Sequence, residues 1–299
     1  MRVRPLLLAM ASGVAANCRK PGIIVACTLA LSSLGLSEPA RAQCAGTVDK
    51  VVCTMSGNPY SSAVPGNPYQ NLAPGINVGG GAGDLVNVTL EPGVQVLLPG
   101  SGIAVQATNF AGGSVVLSAN GATINVTQVP PSSGGNRGLY VETSSGDATI
   151  TASGKIDVAG EGGGNHAIKA FVNASVGPGN ASITYNGPGL SSSGTNSTDI
   201  QAQSNNGDAF IDASGNMSGH VTSTQSSENT FVGLFAAGGG VDGDASVVYR
   251  SGTIDVQGRA SNGIFAGASG QGSAEITTLP APRSSSVART RGKPLRPSL

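Results

Sequence analysis

Apolar and polar residues alternate in short bursts along most of this chain, and the bursts recur in a fixed order. Six times between Asp84 and Ser273 a β-prone alternating stretch runs to a glycine and is followed by a second alternation. The copies read LVNVTLEPGVQV from Leu85, SVVLSANGATINV from Ser114, DATITASGKIDV from Asp147, NASITYNGPGL from Asn180, DAFIDASGNM from Asp208 and DASVVYRSGTIDV from Asp244. In Thr123-Ile124-Asn125-Val126 and Lys155-Ile156-Asp157-Val158 the period is two, which puts apolar residues on one face of a strand and polar ones on the other. A third segment closes each unit: GIAVQA from Gly102, GLYVET from Gly138, AIKAFV from Ala167, DIQAQS from Asp199, FVGLFA from Phe231 and GIFAGA from Gly263. The plan is three short strands per unit.

The glycine that ends the first stretch falls at Gly93, Gly121, Gly154, Gly187, Gly215 and Gly252. Such uneven spacing suits strands joined by loops of tolerated length rather than rigid helical repeats. Glycine at this density would also penalise a helix by about 1 kcal/mol per interior position. Corresponding strands are expected to stack in parallel about 4.8 Å apart. Ile124, Ile156 and Ile254 would form one inward ladder, and Val126, Val158 and Val256 the next. The pattern predicts an all-β fold, a right-handed parallel β-helix (solenoid) of about six three-strand coils over 84–279. The competing β-sandwich needs antiparallel hairpins and has no use for internal repetition.

Composition agrees with a stacked array. Charged residues make up 11% of the chain and aromatics 4%, Trp is absent and Gly numbers 46. A typical soluble domain is roughly 25% charged. The 39% hydrophobic content nevertheless separates the chain from a disordered Gly/Ser tract and allows a thin core of β-branched side chains.

The ends read differently. Residues 1–42 form a signal peptide: Arg2, Arg4, Arg19 and Lys20 lead an apolar run from Gly22 to Leu36, and Ala40-Arg41-Ala42 precedes a cut at Gln43. The apolar run is shorter than the roughly 20 residues a bilayer span needs, so no stable membrane span is expected in the mature chain. Residues 43–83 read as a loop-rich N-terminal cap, with Gly-Asn-Pro-Tyr at Gly57–Tyr60 and again at Gly66–Tyr69 supplying turn chemistry. Residues 280–299 form a basic disordered tail. Export implies an oxidising compartment, where Cys44 and Cys53 are read as a disulfide at the start of the array.

A leader ending in Ala-x-Ala, an N-terminal cysteine pair and units of the type GTIDVQGRASNGIFAGASG (Gly252 to Gly270) resemble the passenger region of autotransporter proteins from Gram-negative bacteria. The resemblance covers about Gln43 to Leu279. It implies a β-helix carried to the cell surface by a C-terminal outer-membrane barrel, and adhesin-like activity toward host or surface glycans or proteins. An outer-membrane barrel needs many alternating strands of about ten residues, and nothing after Ser273 supplies one. The chain is therefore expected to be a truncated or frame-shifted passenger, a passenger with a separately encoded outer-membrane translocator, or a fragment without present function. Its expected location is the cell surface or extracellular space, or the periplasm if no translocator serves it.

From Gln43 to Pro282 six basic residues face fifteen acidic ones, a balance of −9. The basic stripe with interleaved aromatics that nucleic acid requires is missing. Parallel β-helices also carry polysaccharide lyases and hydrolases, so the recurring acids were considered. Asp147, Asp208 and Asp244 follow Gly or Asn-Gly and are read as residues that close a turn through their own backbone. Asp157 and Asp255, both in Ile-Asp-Val, turn outward as a potential row without a partner base. His166 and His220 sit in loop-like sequence and are read as solvated. The GGGAGD run from Gly79 and GGGVDGD from Gly238 miss the Gly-Gly-x-Gly-x-Asp calcium register and read as turns. Six Asn-x-Ser/Thr sequons, at Asn87, Asn125, Asn173, Asn180, Asn196 and Asn216, reflect the Asn/Ser/Thr-rich composition in a bacterial-looking protein. Catalytic, cofactor-binding and metal-binding residues are all expected to be none.

Overall fold

The computed structural model describes residues 44–60, 75–127, 135–221, 231–258 and 260–279. Residues 1–42, read from the sequence as a signal peptide, the second Gly-Asn-Pro-Tyr and the basic tail lie outside the described residues. Twenty strands follow one another with no α-helix among the described residues. In chain order they are β1 (Cys44–Thr47), β2 (Lys50–Cys53), β3 (Ile76–Gly79), β4 (Val86–Leu90), β5 (Gln95–Pro99), β6 (Ile103–Asn109), β7 (Val115–Ala119), β8 (Thr123–Thr127), β9 (Arg137–Thr143) and β10 (Ala148–Ala152). They continue as β11 (Ile156–Ala159), β12 (His166–Val172), β13 (Ala181–Ser193), β14 (Ser197–Ser204), β15 (Ala209–His220), β16 (Phe231–Gly238), β17 (Ala245–Ser251), β18 (Ile254–Gln257), β19 (Asn262–Ala268) and β20 (Ala274–Thr278).

Each strand pairs in parallel with its counterpart one unit away, which makes the molecule a β-solenoid of six coils. The first face stacks β4, β7, β10, the first half of β13, the first half of β15, then β17 and β20. The second stacks β5, β8, β11, the second halves of β13 and β15, and β18. In coils four and five one long strand turns the corner, so the two faces join into a single 13-stranded sheet. The third face is a separate 7-stranded sheet, β3-β6-β9-β12-β14-β16-β19. The segment before the first unit already follows the coil plan, since β2 pairs with β4, Tyr60 bridges Val96 and β3 pairs with β6. Among the named strands, only β1 and β2 form an antiparallel pair, and a disulfide joins their facing residues Cys44 and Cys53.

Inward side chains form the expected columns. One column runs Val96, Ile124, Ile156, Leu190, Met217, Ile254. Its neighbour runs Leu98, Val126, Val158, Ser192, Gly219, Val256. The predicted ladders are present, but in coils four and five the second is interrupted by Ser192 and Gly219. Phe231, fully buried, takes the volume that Gly219 vacates: a Cβ on Gly219 would overlap the Phe231 ring. The corners are as tight. A Cβ on Gly154 would overlap the Ala122 carbonyl, while Tyr185 and Tyr249 alternate with Ala152 and Ala213 in one column and each sends its hydroxyl to a corner carbonyl, of Gly154 and Gly215.

The recurring aspartates have a different role from local turn closure. Ser114 Oγ accepts the Asp147 N–H, Asp147 Oδ1 that of Asn180, Asn180 Oδ1 that of Asp208, Asp208 Oδ1 that of Asp244, and Asp244 Oδ1 that of Ser273, at 2.6 to 3.1 Å. The next residue of each coil returns a bond, as Ala148 N–H does to Asn180 O and Ala209 N–H to Asp244 O. The acids therefore stitch successive coils at one corner. The Ser273 backbone and side chain hold the Asp244 carboxyl below its ordinary range.

Two outcomes test this packing. Asp208→Ala, which strips one rung's acceptor, is expected to cost about 1 kcal/mol, whereas Asp208→Asn should be nearly neutral because Asn180 already serves that column. Urea titrations giving equal losses for both would refute the ladder. Gly219→Val is expected to cost about 1–3 kcal/mol through overpacking, and Phe231→Ala about 3–5 kcal/mol through the cavity left. The double variant should cost less than the sum, and strict additivity would show that the two residues do not share a space.

Candidate binding face

Inward positions are committed to packing, so chemistry must lie on outward columns or in faults of the core. The second face carries a shallow groove of about 460 Å³ lined by Asn125, Asp157, Ser191, Ser218, His220 and Asp255 among others. Here the predicted row of outward acids exists: Asn125, Asp157, Ser191, Ser218 and Asp255 are successive rungs. Asp157 and Asp255 stand three rungs apart, about 14 Å at strand spacing, well beyond the roughly 5–10 Å of a carboxylate pair that cleaves a glycosidic bond. Asp157 is also engaged, accepting from Ser191 Oγ at 2.8 Å and pairing with Lys155 at 2.7 Å. His220 ends β15 on this groove rather than in a loop.

The third face is richer. Each of its middle strands holds two consecutive inward residues, such as Ala167 and Ile168, both fully buried. This bulge resets the alternation so that Arg137, Tyr140 and Glu142 of β9 point outward, as do His166, Lys169 and Phe171 of β12. Pairing aligns Arg137 with His166 and Thr198, Tyr140 with Lys169, Gln201, Phe235 and Phe265, and Glu142 with Phe171 and Gln203. Aromatic and cationic side chains separated by about thirty residues in sequence thus become neighbours. The Arg137 guanidinium lies 4.0 Å from the Tyr140 ring centroid, Lys169 Nζ 5.5 Å from that of Phe171, and Phe235 stacks on Phe265 at 5.1 Å.

The electrostatics of this strip are unbalanced. Among the described residues the salt bridges are Lys155–Asp157 and Arg250–Asp212, and neither involves Arg137 or Lys169. The nearest carboxylate, Glu142, accepts from the Tyr140 hydroxyl and from Asn173 Nδ2. Burial, reinforced by Arg137, lowers Lys169 to about 8. His166 is not solvated: it opens β12 at 7% exposure, and burial followed by the charges of Lys169 and Arg137 pushes its pKa well below the ordinary value, so the ring is neutral. Three buried polar atoms here have no hydrogen-bond partner, namely Arg137 Nε, His166 Nδ1 and Gln201 Oε1.

A fourth such atom lies inside the solenoid. Asp199 Oδ2 is unpartnered and its side chain fully buried, while Oδ1 accepts from Ser192 Oγ at 3.0 Å. Asp199 occupies the column otherwise filled by Ala104, Gly138, Ala167, Gly233 and Gly263, and it fits because Ser192 stands where coils two and three have valine. Burial raises its pKa well above the carboxylate range, only partly opposed by the Ser192 hydrogen bonds. Sequence reasoning passed over both residues, although a carboxylate in a column of Ala and Gly is a visible signal once the register is known. Among the described residues no three His, Cys, Asp or Glu side chains converge as a metal site would require.

No family model, curated protein or solved structure matches this chain. The molecule is known by its geometry: a parallel β-solenoid whose outward third face concentrates aromatic rings and cations that have no ion pair among the described residues.

The sign of the Asp199 effect is fixed. A carboxyl whose folded pKa is raised contributes fully below its unfolded value, and stability falls as pH rises from about 4 toward the raised value. Asp199→Asn mimics the protonated carboxyl, so it is expected to unfold at higher urea than the parent at pH 7 and at similar urea at pH 4. Parallel pH profiles of the two proteins would refute a buried, neutral Asp199.

Proposed function

We propose that this chain is a non-catalytic, exported β-solenoid that acts at the cell surface or outside the cell as an adhesin-like binding protein, in the manner of an autotransporter passenger. The signal-peptide reading of 1–42, the Gly/Ser/Thr/Asn-rich repeats and the solenoid itself support this. The single observation that carries it is the third face, where Arg137, Tyr140, Lys169, Phe171, Gln201, Phe235 and Phe265 align across coils two to six. Binding side chains repeated at strand spacing suit an extended ligand held by many weak contacts, and aromatic rings with Arg are the side chains that carry most contact energy at interfaces. The acids that would have to support hydrolysis are instead spread along the second face or spent on joining coils.

A strain deleted for the gene is expected to lose attachment to a glycan-bearing or host-cell surface and to regain it when the parent gene is restored. A restored copy carrying Phe235→Ala and Phe265→Ala should restore only part of it. Attachment that is indifferent to deletion overturns the proposal.

A further inference from the structure

The third-face cluster has hydrogen-bonding needs that no described residue meets, and together they describe a ligand. Arg137 Nε is a donor without an acceptor, and a guanidinium seeks an anionic oxygen, with which its hydrogen bonds are strongest. Gln201 Oε1 is an acceptor without a donor at 9% exposure. His166, neutral and hydrogen-bonded to the Thr198 backbone, leaves Nδ1 as a second acceptor without a donor. Gln201 has already used its amide nitrogen on Gln203 Oε1 at 2.9 Å. A buried polar group left in this state weighs against the fold, so three on one patch favour a partner that satisfies them together.

That partner must offer an anionic group and at least two hydroxyl donors within one short span, beside flat apolar surfaces on the rings of Phe171, Phe235 and Phe265, while the Tyr140 ring is buried beneath Arg137. Simple anions lack the donors, and acidic peptides offer carboxylates without dense hydroxyls. We propose that Arg137, His166, Lys169 and Gln201 form a binding site for an acidic polysaccharide, whose carboxylate or sulfate lies between Arg137 and Lys169 while neighbouring hydroxyls donate to Gln201 and His166. This rests on the third face being the binding surface and names what it binds. Local charge supports it against an acidic background: the balance of −9 over Gln43 to Pro282 repels polyanions in general, but the two cations here have no ion pair among the described residues and make a local positive spot. Glu142 does not fill the gap, because its oxygens are held by Tyr140 and Asn173. The rungs extend the site, since Phe235 and Phe265 continue the Lys169–Gln201 column by two coils.

The test uses the full secreted chain and four immobilised polymers: polygalacturonate, heparin, neutral dextran and polyglutamate. Binding is expected to polygalacturonate, which shows that a carboxylate suffices, or to heparin alone, which shows that sulfate is required, with little to dextran and little to polyglutamate. Arg137→Ala and Lys169→Ala should each weaken it by about tenfold, equivalent to 1.4 kcal/mol, while Lys169→Arg retains most of it. Gln201→Ala should weaken sugar binding severalfold without reducing any residual polyglutamate signal. Melting curves that match the parent confirm that each variant is folded. Polyglutamate binding as strong as polygalacturonate and heparin, or full binding by folded Arg137→Ala and Lys169→Ala, overturns the inference. If no acidic sugar binds while Phe235→Ala with Phe265→Ala still impairs attachment in the restored strain, the ligand assignment falls and the adhesin reading stands.

Discussion

Parallel pairing in register is the constraint on which everything else in this molecule depends. Each strand lies about 4.8 Å from its counterpart, so every side chain is stacked on the residue at the same place one coil away. A position is thus never chosen alone. A valine inward demands a neighbour of compatible shape above and below, and an outward acid is placed beside whatever the next coil presents. The corner ladder from Ser114 through Asp147, Asn180, Asp208 and Asp244 to Ser273 is the polar form of this rule. It satisfies the turn amides that a bend would otherwise leave bare, and it does so with a side chain supplied by the coil beneath.

The same rule explains why irregularities come in compensating pairs. Gly219 breaks a column of valine-sized residues, and Phe231 fills the gap. Ser192 breaks it one coil earlier, and the larger Asp199 occupies the space in a column of Gly and Ala. Beyond coil three a buried corner column also changes: Asn136 and Asn165 give way to Ser197 and then to Phe231. Coil four and coil five are therefore where the core exchanges aliphatic volume for a polar pair and then for an aromatic ring. A close-packed interior of small side chains tolerates such changes only when two facing positions move together.

Much of this was legible in the sequence. Period-two alternation gave the strands and the recurring glycine gave the coil boundaries, because both are written in adjacent residues. The roles of Asp147, Asp208 and Asp244 were not legible. An aspartate after glycine has a familiar local use, and its true partner lies 28 to 36 residues away. His166 was read as a loop residue because the paired inward residues Ala167 and Ile168 interrupt alternation where β12 begins. The third strand of each unit is legible in the sequence, but the side-chain cluster on its outer face is not, for a related reason. Tyr140, Lys169, Gln201, Phe235 and Phe265 look unremarkable one at a time, and only the register brings them into one column.

That column also separates the two outward surfaces by how their polar groups are used. On the second face Asn125, Ser191 and Ser218 are small, and Asp157 is tied to Lys155 and Ser191, so its polar groups serve the stack. On the third face the stack gains the Phe235–Phe265 ring contact and the Asn173–Glu142 hydrogen bond, but no ion pair of either cation among the described residues. Arg137 and Lys169 are half-buried near one another without an ion pair, and like charges on neighbouring rungs oppose pairing. Coil four shows that neutral residues suffice at the same places, with Thr198 below His166 and Gln201 below Lys169. Cations whose desolvation and mutual repulsion weigh against the fold, in a column where uncharged side chains stack as well, are the observation on which the proposed binding site rests.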